Sequence, residues 1–265
     1  MADLGAFRAS EVFSRVIMHW PKGTCIFAHR GASGYAPENT LAAFELAAQM
    51  GAHGIEFDVQ ITRDGRLIIH HDRELGRTED ASGPLSDWAF ADLRAMDVGS
   101  WFSSDFAGAQ MPTPEEVVEA VGGRLLLNFE LVNDSIHLNG IVPRLVDLFR
   151  RMHLFDRAMI SSFNPRALWE VKKQEPRITI GALWSADEPW FLRAGWWRRL
   201  LQPDALHPQH TLITPHLVRQ AHARGQRVHA WTVNDAETAR RLHALGVDML
   251  MGDYPDRLLA VVQDN

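Results

Sequence analysis

The segment GIEFDVQ, at residues 54–60, is an apolar run of strand character that carries two carboxylates. Because side chains alternate between the two faces of a strand, Glu56 and Asp58 lie on the same side. Similar short runs, β-branched or apolar, recur along the chain with helical patterns between them. We predict eight strands, at residues 25–28, 54–60, 124–130, 157–161, 177–183, 204–207, 227–232 and 247–251.

The segments between these strands predict helices. Asn39 or Thr40 can cap a helix over 41–50, and Thr113-Pro114 opens another with a cap and a proline in the first turn. Eight strand–helix units predict an α/β protein with a closed (β/α)8 TIM barrel. An open doubly wound sheet is the alternative, although no Gly-x-Gly-x-x-Gly pattern follows the first strand. Further helices are predicted near residues 136–152, 164–174, 214–224 and 234–245.

One interval, residues 72–112, interrupts the alternation after the second strand. It is rich in Gly, Ser, Asp and aromatic residues and too long for a bare loop in a compact domain. We predict a single barrel domain over residues 1–265, with a small insertion subdomain at about 72–112 that lies over the barrel mouth.

Composition limits the class of protein. The 265 residues are 46% hydrophobic, enough for a sizeable core, and no run approaches the length of a membrane span. The net charge of −6 gives no basic field for nucleic acid, so a small substrate is expected. The lone cysteine, Cys25, excludes an internal disulfide and is expected to be buried and inert. No secretory signal is apparent at the start, so a cytoplasmic location is expected, while the oligomeric state is not indicated.

Polar and aromatic residues stand at the predicted strand ends, where (β/α)8 barrels carry their chemistry. His29 and Arg30 follow the first strand, and Glu130 ends the third. The remaining strand ends carry Ser161, Ser162, Trp184, His207, Trp231 and Asp253.

Three carboxylates from two strands, Glu56, Asp58 and Glu130, predict a metal site. An all-oxygen cluster favours a hard divalent cation, Mg²⁺ or Ca²⁺. Grouped in an apolar barrel, the carboxylates would have raised pKa values unless a cation neutralised them. Structural ion pairs with arginine are the alternative, but the second strand offers no basic partner at the matching positions.

The neighbouring cations and histidines suit a phosphate ester. Arg30 presents a planar fork for bidentate phosphate binding, and histidines can serve as general acid and base. His29 is one candidate; the choice between His70 and His71 depends on strand register, which a turn at Asp64-Gly65 leaves open. Trp231 can form one wall of the substrate pocket, and the alternative is a tryptophan buried in the core. His229, in the same strand, is a weaker candidate for the site.

These motifs together resemble the glycerophosphodiester phosphodiesterase family over nearly the whole chain, from Ile26 to Pro255. The resemblance implies a barrel enzyme that hydrolyses glycerophosphodiesters to sn-glycerol 3-phosphate and an alcohol with a divalent metal. The segments that carry it are Ala28-His29-Arg30-Gly31, Pro37-Glu38-Asn39-Thr40, Ile55-Glu56-Phe57-Asp58-Val59, His70-His71-Asp72, Ser161-Ser162-Phe163 and Trp231-Thr232-Val233-Asn234.

By motif position, the resemblance implies a role for each candidate. Glu56, Asp58 and Glu130 correspond to metal ligands. His29 and His71 correspond to the acid–base pair, which selects His71 over His70. The substrate-binding residues are then Arg30, Glu38 at the rim of the metal site, and Trp231.

The chain departs from the family pattern at two places. Where the family usually has Glu-x-Lys at the end of strand three, this chain has Glu130-Leu131-Val132, so a phosphate-binding cation is missing. Where a threonine often precedes the last aspartate, the chain has Gly252-Asp253. Because of the first departure, the sequence determines the preferred substrate less closely than it determines the type of reaction.

Two other functions compete with this hypothesis. Tryptophans and arginines alternate with leucines over residues 189–201, which suits a lysophospholipase D-like enzyme at a membrane surface. A packed barrel helix is the favoured interpretation of that segment. A non-catalytic glycerophosphodiester-binding barrel is the other alternative; Val132 favours it, and the full set of carboxylates and histidines argues against it.

Overall fold

The computed structural model describes Met18 and residues 20–133, 137–188 and 195–263, and it shows a closed barrel of eight parallel strands. The first strand pairs with both the second and the last, which closes the sheet and confirms the predicted TIM barrel. Each strand lies within two residues of its predicted bounds. The strands are β1 (Cys25–His29), β2 (Gly54–Ile61), β3 (Leu126–Leu131), β4 (Ala158–Ser162), β5 (Thr179–Trp184), β6 (Ala205–Pro208), β7 (Arg227–Ala230) and β8 (Met249–Gly252).

A helix follows each barrel strand. The Thr40 side chain accepts a hydrogen bond from the Ala43 backbone N–H, so Thr40 rather than Asn39 is the first helix's cap. Thr113 is a helix cap, as predicted, and it forms a reciprocal capping box with Glu116. The helices are α1 (Leu41–Gln49), α2 (Pro114–Val121), α3 (Ile141–Arg151), α4 (Pro165–Gln174), α5 (Trp196–Leu201), α6 (Pro215–His222), α7 (Ala236–Ala244) and α8 (Pro255–Gln263).

Strand alternation divides the apolar side chains between two cores. Ile55, Phe57 and Val59 of β2 face outward and pack under the helices, in a cluster that includes Phe44 of α1. The opposite face of the same strand carries Glu56 and Asp58. A second cluster fills the barrel interior below the carboxylates, and its members include Cys25, Phe27, Met159, Met249 and Met251. Burial raises the pKa of the Cys25 thiol to about 11, which fits the expected inert role.

The segment after β2 forms a small unit of its own. Leu67–Ile69 pairs antiparallel with β2, and Glu74–Leu75 pairs with Gly83–Pro84. Arg94 makes two hydrogen bonds to the Glu116 carboxylate, at 2.8 and 2.9 Å, which tie this unit to α2. Short helices lie at Leu85–Asp87, Phe90–Arg94 and Ser104–Phe106, and a further one at His210–Leu212 follows β6. The buried apolar side chains of the small unit after β2 are Ile68, Leu75, Leu85, Leu93, Val98 and Met111.

The predicted helix over 136–152 is shorter in the structure and begins at Ile141. Its first predicted residue lies outside the described residues, and Gly140 stands at the cap with a left-handed φ of 83°. A positive φ favours glycine because a side chain there would be strained. The glycine therefore marks the turn at which the loop ends and the helix begins.

Two histidines are buried together in the barrel interior. His207 of β6 and His229 of β7 are joined by a hydrogen bond of 2.8 Å between His229 Nδ1 and His207 Nε2. Burial lowers the pKa of His207 to about 3 and also lowers that of His229. Both imidazoles are therefore neutral in the folded protein, and His229 does not face the barrel mouth beside Trp231.

We expect this pair to make stability pH-dependent. Below about pH 6.5 the imidazoles of the unfolded chain take up protons, while the buried pair stays neutral, so the free energy of unfolding falls as the pH falls. Each imidazole contributes a slope of about 1.4 kcal/mol per pH unit between about pH 6 and 5. Replacing His229→Gln should reduce the slope, measured by urea unfolding, by about that amount. The exposed His216→Gln variant is the control, and an equal reduction in both would contradict the explanation.

Candidate active site

The carboxyl ends of β1, β2 and β3 bring the predicted metal ligands together. His29 pairs with Glu56 across β1 and β2, and Asp58 pairs with Glu130 across β2 and β3. One oxygen from each of Glu56, Asp58 and Glu130 lies within 4.8 Å of the others. The spacing of two in β2 and the parallel register of β3 therefore produce the expected cluster.

Glu56 is the most deeply buried acid of this cluster. Its Oε2 accepts a hydrogen bond from the Arg30 backbone N–H at 3.1 Å, and its Oε1 has no hydrogen-bond partner among the described residues. Burial, together with the charges of Asp58 and Glu130, raises the pKa of Glu56 well above its usual range. A buried all-oxygen donor set with an unpartnered oxygen suits a hard divalent cation, which would favour the ionised carboxylates.

Asn39 supports the second carboxylate. Its side-chain amide donates a hydrogen bond of 2.8 Å to Asp58 Oδ2, and both residues are buried. Asn39 has a φ of 57°, in the left-handed region that asparagine tolerates better than most residues. In the sequence, Asn39 stood only in a motif and as a possible helix cap, so its contact with Asp58 was not predicted.

Arg30 lies among the carboxylates. Its Nη1 donates to Glu38 Oε1 at 3.0 Å, and its Nε lies 3.3 Å from Asp58 Oδ2. Burial alone would lower the pKa of Arg30, but the neighbouring acids, Asp58 first, raise it. The carboxylates therefore have a basic partner that β2 itself does not supply, because an arginine from the end of β1 reaches the cluster. The guanidinium is held beside the carboxylate cluster.

His29 is oriented by an aspartate that follows β8, the strand that pairs with β1 at barrel closure. His29 Nδ1 and Asp253 Oδ1 are 2.7 Å apart, and His29 Nε2 lies 4.0 Å from Glu56 Oε2. Burial would raise the pKa of Asp253, but hydrogen bonds from His29, Asn234 and Ser33 lower it. The ionised aspartate favours a proton on Nδ1, which leaves Nε2 as the acceptor that faces the carboxylates. Asp253 was predicted to stand at a strand end, but its contact with His29 was not predicted.

The structure separates the two adjacent histidines after Leu67–Ile69. His71 is 39% exposed, and its Nδ1 lies 2.7 Å from Asp72 Oδ1. His70 is buried, with its Nε2 3.8 Å from Glu79 Oε2, and burial lowers its pKa. His70 therefore belongs to the interior of the insertion, and His71 is the one accessible to a ligand.

The Gln60 side chain holds the backbone of this segment in place. Its amide Nε2 lies within hydrogen-bond distance of the carbonyl oxygens of His70, His71 and Asp72, at 2.8, 3.2 and 2.9 Å. Gln60 continues the alternation of Glu56 and Asp58 in β2. That spacing was a signal from which its inward position could have been predicted.

Trp231 and Phe163 form an aromatic pair just after β7 and β4. Their rings meet edge to face at 5.4 Å, and Trp231 Nε1 donates a hydrogen bond to the His207 carbonyl oxygen at 2.7 Å. Phe163 was quoted in a motif but not predicted as a site residue. The indole is therefore fixed at a strand end with its ring partly exposed.

Other strand-end residues do not join the mouth. Trp184 is 5% exposed and packs outside the barrel, with the Arg198 guanidinium 4.0 Å from its ring centroid. Ser162 turns away from the interior as well, and its hydroxyl donates to the Leu131 carbonyl oxygen at 2.7 Å. Alternation explains both, because the preceding residues, Leu183 and Ser161, occupy the inward positions.

A second arginine, Arg77, approaches the mouth from the insertion. Its Nη1 and Nη2 donate to the two oxygens of Glu38 at 2.9 and 2.6 Å. Val132, where the family resemblance led us to expect lysine, is half-buried and offers no charge. Nothing in the spacing of the sequence pointed to Arg77, because its approach depends on how the insertion folds back.

Comparison with known proteins places these features in a family. The profile of the glycerophosphoryl diester phosphodiesterase family matches residues 29–257. A glycerophosphodiester phosphodiesterase of Caldanaerobacter subterraneus is 36% identical over 243 residues, covering 91% of this chain and 98% of its own. One of Bacillus altitudinis is 33% identical over 245 residues, covering 91% and 99%.

A solved structure agrees with the sequence matches. The structure of an Oleispira antarctica phosphodiesterase in complex with the product sn-glycerol-3-phosphate is 31% identical and covers 90% of this chain and 96% of its own, with a TM-score of 0.82. The likeness extends to the whole barrel. The chain belongs to the glycerophosphoryl diester phosphodiesterase family, a family of phosphodiesterases.

Proposed function

We propose that this protein hydrolyses glycerophosphodiesters to sn-glycerol 3-phosphate and an alcohol, with a divalent cation and a pair of histidines. The observation that carries the proposal is the cluster of Glu56, Asp58 and Glu130 oxygens within 4.8 Å of one another, beside a histidine oriented by Asp253. The product bound to the similar Oleispira antarctica phosphodiesterase supports the choice of substrate class.

The carboxylates and Arg30 divide the task of binding. Glu56, Asp58 and Glu130 would hold Mg²⁺ or Ca²⁺, which when bound neutralises phosphate charge and lowers the pKa of a neighbouring hydroxyl. Arg30 is kept protonated by the acids around it and offers its planar fork to the phosphate. Trp231, with Phe163 against it, supplies an apolar wall for the substrate. Glu38 is the partner that aims Arg30.

The two histidines would move the protons. His29 presents its Nε2 toward the carboxylate cluster, where it can take a proton from the attacking hydroxyl. His71 is more exposed and lies on the insertion side, where it can protonate the departing alcohol. Each imidazole has a carboxylate at Nδ1, Asp253 for His29 and Asp72 for His71, so each can exchange a proton through Nε2.

We expect His29→Ala and His71→Ala each to lower kcat on glycerophosphocholine by about 10²–10⁴-fold, the usual range for loss of a general acid or base. A p-nitrophenyl glycerophosphodiester distinguishes the roles, because its leaving group departs without protonation. The His71 variant should lose much less on that ester than the His29 variant. His216→Ala is the control, and activity of either site variant on glycerophosphocholine within tenfold of the wild type would contradict the assignment.

The metal site has a test that does not depend on activity. Titration of the metal-free protein with Mg²⁺, Ca²⁺ and Mn²⁺ in a calorimeter should show one site. In Glu56→Gln the affinity should fall at least about tenfold, because an amide offers one neutral oxygen where the carboxylate offers charge. Glu45→Gln, on the exposed face of α1, is the matched control. Equal affinities in all three proteins would place the cation elsewhere.

A second candidate function is hydrolysis of lysophospholipids at a membrane surface. On α5 the side chains of Trp196 and Leu200 are 57% and 69% exposed, one turn apart, with Arg199 beside Leu200. Trp197 is buried, so only part of the segment 189–201 fits this interpretation, and residues 189–194 lie outside the described residues. No helix in the part of the chain that the structure describes has the length and apolarity to cross a membrane.

Liposome flotation tests this alternative. If α5 inserts into the interface, the wild-type protein floats with anionic vesicles and the double variant Trp196→Ser/Leu200→Ser does not. Trp169→Ser, which removes another exposed tryptophan, on α4, should float like the wild type. Failure of the wild-type protein to float would leave α5 as a structural helix.

A protein that binds glycerophosphocholine but never turns it over would instead support a non-catalytic binding barrel.

A further inference from the structure

Arg77 lies between two carboxylates that belong to different parts of the barrel mouth. Its Nη1 and Nη2 bind both oxygens of Glu38, at 2.9 and 2.6 Å, in the loop between β1 and α1. Its Nε binds Asp72 Oδ2 at 2.5 Å, at the start of the insertion. The three donors of one planar guanidinium are thus divided between the two acids, an arrangement that the point charge of a lysine could not reproduce.

Each of these carboxylates has a second partner in the proposed machinery. Glu38 Oε1 also accepts from Arg30 Nη1 at 3.0 Å, so Arg77 and Arg30 share one acid. Asp72 Oδ1 lies 2.7 Å from His71 Nδ1. A continuous chain of contacts therefore runs from Arg30 through Glu38, Arg77 and Asp72 to His71.

The charges along this chain of contacts hold its members together. Burial would raise the pKa of Glu38 and of Asp72, but in both the hydrogen bonds and charge of Arg77 contribute to lowering it. Both acids are therefore ionised. An ionised Asp72 keeps a proton on His71 Nδ1, and an ionised Glu38 holds the Arg30 guanidinium in one orientation.

The backbone on either side of Arg77 is held by the insertion's own contacts. The Gly76 N–H donates to Glu79 Oε1 at 2.7 Å, and the Thr78 hydroxyl donates to the other oxygen of Glu79. Thr78 and Glu79 are buried, whereas the Arg77 side chain is 44% exposed. A half-exposed arginine adds little to folding stability, because water screens its ion pairs. Its bidentate geometry toward the site needs another explanation.

We propose that Arg77 is a positioning residue for the reaction, which holds the phosphate-binding Arg30 and the proton-transferring His71 in one frame. It links the insertion to the β1 side of the mouth, and it places a permanent cation at the site although position 132 is valine. The proposal rests on the proposed function. Arg77 acts through Glu38 and Asp72, and it is not assigned a contact with the substrate.

Kinetics of Arg77→Met and Arg77→Lys test this role with glycerophosphocholine. Arg77→Met should lower kcat at least tenfold and raise KM severalfold, because both ends of the frame are released. Arg77→Lys should recover part of the loss, since one ammonium can reach one of the two acids. Arg94→Met, which removes a bidentate arginine–glutamate pair from the same insertion away from the site, should stay within twofold of the wild type in both parameters.

The frame has two arms, one from Arg77 through Glu38 to Arg30 and one from Arg77 through Asp72 to His71. Variants of the two acids test these arms separately. Asp72→Asn should lower mainly kcat, and Glu38→Gln should raise mainly KM. In the Asp72→Asn background, Arg77→Met should add little further loss in kcat, because the arm to His71 is already broken. Full additivity of the two losses in kcat would overturn the proposal, as would wild-type kinetics in a folded Arg77→Met protein or an equal loss in Arg94→Met.

A spectroscopic measurement reports on the frame without turnover. The ¹⁵N shifts of the His71 imidazole should show a protonated Nδ1 in the wild type and in Arg94→Met, and a reduced share of protonated Nδ1 in Arg77→Met. Unchanged shifts in Arg77→Met and Arg77→Lys would overturn the proposal even if one variant were unstable. A wild-type protein that fails to hydrolyse any glycerophosphodiester would contradict the proposed function instead, and the imidazole shifts would still test the frame.

Discussion

Three carboxylates share the mouth of an apolar barrel, and the repulsion among them is the constraint on which the site depends. Strand pairing puts Asp58 opposite Glu130, and Glu56 lies two residues before Asp58 on the same face. Burial makes each negative charge costly, so positive groups must be close. Arg30 meets part of this need with its backbone N–H and its guanidinium. The charge that remains makes the cluster a suitable site for a divalent cation.

Carboxylates at the barrel mouth also determine how the two histidines are held. A carboxylate that accepts a hydrogen bond from Nδ1 fixes the orientation of an imidazole ring and leaves Nε2 available to the site. Asp253 does this for His29, and Asp72 does it for His71. The two aspartates lie far apart in the sequence, one after β8 and one at the start of the insertion. Closing the barrel is what brings β8 beside β1 and so completes the first of these pairs.

Local patterns predicted most of the fold because each depends on neighbours in sequence. Alternating polarity in β2 and the caps at Thr40 and Thr113 are properties of short segments, and the structure confirms them. A position at a strand end did not by itself show which residues face the mouth, since Trp184 packs outside the barrel. A strand end has two faces, and the length of the strand before the turn decides which residue points inward. Sequence spacing does not reveal that length to within one residue.

From its sequence alone, this chain is recognisable as a (β/α)8 barrel with three carboxylates and a histidine at adjacent strand ends. Those features follow from periodicity and from the parallel direction of consecutive strands. The assignment of His71 over His70 from the residues themselves, and the partners Asp253, Asn39 and Arg77, required the folded chain. Their contacts join segments far apart in sequence, and a hydrogen bond between such segments depends on barrel closure and on the path of the insertion, neither of which has a local signature.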